Sequence, residues 1–110
     1  MKLIYRQGDV GILVADKPVD TTKHEKAKRE RGGIVLAHGE VTGHRHQVRD
    51  RNVCLLRAEG IHDAVLTVGR ELAELTHEEH GTIPIQRGDY VVRIKREFDW
   101  ASESARQVVD

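Results

Sequence analysis

The strongest constraint on the fold is the alternation near the end of the chain. There Tyr90, Val92 and Ile94 interleave with Val91, Arg93 and Lys95. Successive side chains on a strand point to opposite faces, so a two-residue period suits a strand with one buried face and does not suit a helix. The same period recurs where Val10, Ile12 and Val14 alternate with Gly11, Leu13 and Ala15. Shorter strand-like runs occupy residues 3–5, 34–37, 53–57, 64–68, 71–75 and 83–85, and the final run continues to Phe98. Gln7-Gly8-Asp9, Glu59-Gly60, Gly69 and Arg87-Gly88-Asp89 read as turns between them. A single strand over 34–50 is longer than usual, so a bend or bulge is expected near Gly39 or Gly43. Many short strands, glycine turns and no convincing amphipathic helix predict an all-β domain of about eight strands, either a small barrel or a sandwich. Closing the sheet would remove its edges and turn inward side chains toward a small cavity.

At 110 residues the chain suits one core. The domain is expected over residues 1–100, with a polar tail over 101–110 that frays or forms a short helix. Only four aromatic residues are present, so the core must come from Val, Ile and Leu. Residues 16–31 are rich in both charges and nearly devoid of apolar groups, which predicts a long exposed loop with room for one helical turn. Eighteen basic and eighteen acidic residues balance, which gives no general attraction for nucleic acid or an anionic membrane. No apolar run approaches the roughly 20 residues needed to cross a bilayer. The start, Met-Lys-Leu-Ile-Tyr-Arg, lacks a signal-peptide core, and Cys54 has no partner within the chain. A soluble cytoplasmic protein is the resulting expectation, with Cys54 as a small buried hydrophobe.

Five of the seven histidines fall in or beside two stretches, Gly39-Glu40-Val41-Thr42-Gly43-His44-Arg45-His46 and His77-Glu78-Glu79-His80. On a strand His44 and His46 share a face, close enough to grip one ion. The same parity carries back to Thr42, Glu40, His38, Leu36 and Ile34, while Arg45, Gln47 and Arg49 fall on the side expected to face water. His77 and His80 are three apart and converge only if the chain turns between them. Neutral imidazoles suit zinc and similar ions, and three protein ligands with one open position make a reactive site. The expected metal ligands are therefore His44, His46, His77 and His80, with either three or all four bound. Zinc is the first choice of ion, with iron or manganese as alternatives. Glu40 is the expected catalytic carboxylate, with Glu78 and Glu79 as rivals for the role. His38 is expected outside the ligand set or at the surface, and His24 and His62 in polar loops. Histidine clusters also serve as proton sensors without a metal.

Gly39 followed by His44-x-His46 in an all-β chain resembles the first metal motif of cupins, which implies a small barrel with one metal ion inside. The fuller pattern adds Thr76-His77-Glu78-Glu79-His80, Gly88-Asp89-Tyr90 and Arg96-Glu97-Phe98 to Gly-Glu-Val-Thr-Gly-His-x-His. It is similar to small bacterial and phage-encoded proteins, a resemblance that implies a site and no particular reaction. The expected function is a metal-dependent enzyme that hydrolyses or hydrates a small-molecule substrate through a metal-bound water. The alternative is a non-catalytic accessory module, associated with phage, whose histidines hold a structural metal or respond to pH. A homodimer is expected by analogy with other small barrels.

Overall fold

The computed structural model describes residues 1–39 and 43–94. Those residues form ten strands and no helix, including none long and apolar enough to cross a membrane. In chain order the strands are β1 (Lys2–Gln7), β2 (Val10–Val14), β3 (Glu25–Lys26), β4 (Ile34–His38), β5 (Arg45–Val48), β6 (Val53–Ala58), β7 (Ile61–Val68), β8 (Ala73–Thr76), β9 (Ile83–Ile85) and β10 (Gly88–Ile94). Every pairing is antiparallel, and the order is β1-β2-β10-β7-β6-β3 in one sheet and β4-β5-β8-β9 in the other. The sheets stay separate as a sandwich, so of the two expected architectures the closed barrel does not form.

One aliphatic cluster joins the sheets. Ile12, Leu66, Tyr90 and Val92 of the larger sheet pack with Leu36, Val48, Leu75 and Ile85 of the smaller. Removing this apolar surface from water is what drives the two layers together. Strand β10 lies inside the larger sheet, where Val92 is level with Ile12 on one side and Ala64 on the other. Its alternation does not leave the second face open to water. Val91 is buried there with Leu3 and Leu13, and Ala15 and Val19 pack against them. Val14 is the exposed member of β2.

The charged stretch 16–31 is mostly exposed, as expected, but it is fastened to the sheet in several places. Glu25 and Lys26 pair with Arg57 and Leu56, Ala27 N–H donates to Leu55 O, and His24 Nε2 bonds Asp63 O at 2.9 Å. Cys54 is half-buried rather than buried. His62 belongs to strand β7 instead of a loop, and Gly88 and Asp89 already belong to β10. The polar tail, Phe98 and the motif at 96–98 lie outside the described residues.

The expected bend in the 34–50 stretch is a full reversal. Strands β4 and β5 form a hairpin, closed at its stem by Gly39 N–H donating to His44 O at 2.8 Å. The parity count from Ile34 to His46 therefore does not run through, because the chain changes direction in between. His38 is exposed at the end of β4. Glu40, the expected catalytic carboxylate, and Thr42 lie outside the described residues. Gln47 was expected to face water but is buried, because β5 is covered on both faces.

Candidate metal centre

All four expected ligand histidines converge at one end of the sandwich, where the β1–β2 turn meets the connection after β8. The site is thus marginal to the aliphatic core rather than inside a barrel. Strand β5 delivers His46 and its approach delivers His44. Thr76 of β8 lies level with Gln47 of β5, so the residues that follow β8 emerge beside the histidines that precede and begin β5. The chain then bends over Glu78–His80, which brings His77 and His80 together with ring centroids 4.7 Å apart. His77 occupies the middle of the group: its ring lies 4.3 Å from that of His46 and 5.6 Å from that of His44. His80 stacks on His46 at 5.9 Å.

Two glycines make this crowding feasible. A Cβ on Gly39 would stand 3.0 Å from His44 Cβ and 3.1 Å from His77 Nε2. A Cβ on Gly8 would stand 2.7 Å from His80 Nε2, and Gly8 also holds a positive φ of 59°. A side chain at Gly39 would make His44 and His77 give way by a few tenths of an ångström, and at Gly8 it would displace the His80 ring and strain a positive φ.

The orientation of His46 follows from a residue that sequence reading passed over. Gln7, fully buried at the end of β1, donates through Nε2 to Leu75 O at 3.0 Å and to Gly81 O at 2.9 Å. Both amide hydrogens are thereby used, so Gln7 Oε1 is the acceptor that faces His46 Nδ1 at 2.8 Å. The network places the ring hydrogen of neutral His46 on Nδ1 and leaves the Nε2 lone pair free. Burial, reinforced by the neighbouring His77, pushes the His46 pKa down to about 4, so the ring is neutral at physiological pH. Asp9 Oδ1 stands 3.6 Å from that Nε2.

His77 is held differently. Its Nδ1 accepts the backbone N–H groups of Glu79 at 3.0 Å and His80 at 3.3 Å. The hydrogen of the neutral ring therefore sits on Nε2. Partial burial, followed by the proximity of His80, lowers the His77 pKa. Glu78 Oε1 accepts the backbone N–H of Arg45 at 2.8 Å, and this bond is the main reason its carboxyl pKa is lowered. His44 Nδ1 is buried and has no hydrogen-bond partner among the described residues, with Glu79 Oε1 3.6 Å away.

One ligand atom each from His44, His77 and Glu78 lies within 4.8 Å of the other two. This group is able to hold a metal ion. The rings of the four histidines lie close together. Of the four, only His44 and His77 belong to this group among the described residues, and its third member is Glu78, read earlier as a rival catalytic group. Gln7, Gly8 and Asp9 read in sequence only as a turn. Their partners lie between 37 and 74 residues further along the chain, so no local pattern signals them.

No curated protein and no solved structure matches the chain. The model of a domain of unknown function, DUF8820, matches residues 6–95, which include both histidine stretches, and the chain belongs to that family.

Proposed function

We propose that this protein is a divalent-metal protein, with zinc as the first choice of ion. His44, His77 and Glu78 bind the ion, and a remaining position holds the water that hydrolyses or hydrates a small substrate. The observation that carries the reading is the convergence of these three side chains, together with a buried His44 Nδ1 that has no hydrogen bond among the described residues. A buried polar atom without a partner costs on the order of 1–3 kcal/mol, and a metal bond would remove that cost. Two nitrogens and one carboxylate oxygen are a donor set that zinc accepts, and three protein ligands leave a fourth position open. A metal there would supply a water acidic enough to attack at neutral pH. Glu40 keeps its expected role as the base that takes the proton from that water.

Elemental mass spectrometry of untagged protein, with His44→Ala and His77→Ala variants, tests the metal. The parent should carry at least one equivalent and each variant one fewer. No metal in the parent after reconstitution with zinc, iron or manganese would overturn the reading. Glu40→Gln should keep the metal and lower turnover of any small ester or hydration substrate by roughly 10²–10⁴-fold.

A second reading, a structural metal, is favoured by one observation. The histidines come from the β4–β5 hairpin and the connection after β8, so an ion between them would tie two segments of the fold together. Full activity of the tie without catalysis would appear as zinc-dependent stability, a closed ligand shell and no exchangeable water in the cobalt-substituted spectrum.

A further inference from the structure

We propose that Asp9 and His46 form a second divalent-cation site beside the one at His44, His77 and Glu78, so that the centre takes two metal ions. The inference rests on the metal reading above and extends it to residues outside that three-ligand group. The starting observation is a contact between two acceptors. In the neutral ring Gln7 holds the hydrogen of His46 on Nδ1, so Nε2 presents a lone pair, and what it faces at 3.6 Å is the Asp9 carboxylate. A lone pair and a carboxylate oxygen repel unless something positive stands between them.

The spacing suits a metal. Two ligand atoms on a tetrahedral ion with bonds of ~2.1 Å stand about 3.4 Å apart, and the observed 3.6 Å is close to that edge. A direct hydrogen bond would be shorter, near 2.8–2.9 Å. His46 is 2% exposed and its other nitrogen is committed to Gln7, the arrangement by which a neighbouring acceptor fixes a metal-binding histidine. The His80 ring lies over Gly8, next to Asp9, and so closes the same turn.

Charge points the same way. Glu78, Glu79 and Asp9 stand beside the imidazoles of His77, His44 and His46. Three carboxylates carry one negative charge more than a single divalent ion neutralises, so the site with one ion still attracts a second cation. Paired ions a few ångströms apart clamp both the attacking and leaving oxygens of a displacement, which fits hydrolysis of a phosphate ester or a similar anionic substrate.

The test is a zinc titration by calorimetry of chelator-treated full-length protein, with elemental analysis after dialysis, on the parent, Asp9→Asn and Glu78→Gln. Thermal unfolding of each metal-free variant serves as the folding control. Expected are two equivalents in the parent and one in each variant, the remaining one differing between them in affinity. A single equivalent removed by both substitutions would mean one shared centre and would overturn the second site while leaving the metal reading intact. A single equivalent removed by Glu78→Gln and untouched by Asp9→Asn would do the same. A single equivalent removed by Asp9→Asn alone would keep the Asp9–His46 site and sink the one at His44, His77 and Glu78. No bound zinc would overturn both.

Discussion

Gln7 carries more of the centre than its place in a β-turn sequence suggests. It satisfies Leu75 O and Gly81 O and fixes the hydrogen of His46, which links β1 to β8, β5 and the connection leading to β9. Gln7→Met keeps the length of the side chain and removes all three bonds. Leaving buried acceptors and a ring N–H unpaired should cost about 2–4 kcal/mol, measured by urea unfolding of chelated protein. Zinc affinity should fall by about 10–100-fold, as for other groups that orient a metal ligand. Unchanged affinity at equal folding would remove Gln7 from the metal site. Gly39→Ala acts on the opposite quantity. Its methyl group meets His44 and His77 at 3.0–3.1 Å, so the rings must yield by a few tenths of an ångström. Stability should drop by only about 1 kcal/mol, while zinc binding weakens more than stability does.

At the scale of elements, the turn at Glu78–His80 and the metal compete for His77. Two backbone N–H groups converge on His77 Nδ1. If the metal takes Nδ1, the lone pair is gone, and if it takes Nε2, the hydrogen moves to Nδ1. A neutral His77 ligand therefore releases the Glu79 and His80 amides in either case. Hydrogen exchange at those two amides should accelerate when zinc is added, while the β8 amides stay protected; slower exchange at both would show that His77 does not ligate as a neutral ring. The edge of β4 is managed by another long-range contact. Arg57 on β6 donates through Nη2 to Val35 O at 2.8 Å and Leu36 O at 3.1 Å, capping carbonyls at the open edge of the smaller sheet. Because Arg57 is exposed, Arg57→Ala should cost only about 1 kcal/mol, with faster amide exchange along β4 as the local signature.

For the whole molecule, His46 couples folding to pH. Its folded pKa of about 4 lies below the value near 6.5 expected in the unfolded chain. The unfolded state therefore binds a proton that the folded state refuses. The contribution is fully present above pH 6.5 and is lost as pH falls toward 4, amounting to at most about 3 kcal/mol. His77 is shifted in the same direction and adds to the slope. Metal-free protein should lose stability through this window in urea titrations at stepped pH, and His46→Asn should flatten the curve. With saturating zinc the loss should steepen, because protons then also compete with the ion for imidazole.

The sequence by itself determined the class of fold and singled out the four histidines that gather at one end of it. Alternation in β2 and β10 and glycine turns at short intervals imposed an all-β chain, because a two-residue period can bury an apolar face only as a strand. Histidine spacing named His44, His46, His77 and His80 before any of them could be seen together. Their parity count was nevertheless a poor guide to the 34–50 stretch, since periodicity in one dimension does not register a hairpin reversal. Tertiary structure decided that the sheets stack as a sandwich rather than close, which put the site at an end of the layers. It also decided that Gln47 is buried, that Glu78 stands with His44 and His77, and that Gln7 and Asp9 face His46. These follow from which strands lie side by side: hydrogen bonds and lone pairs act over about 3 Å in space, and here the chain brings residues 39 positions apart within that reach.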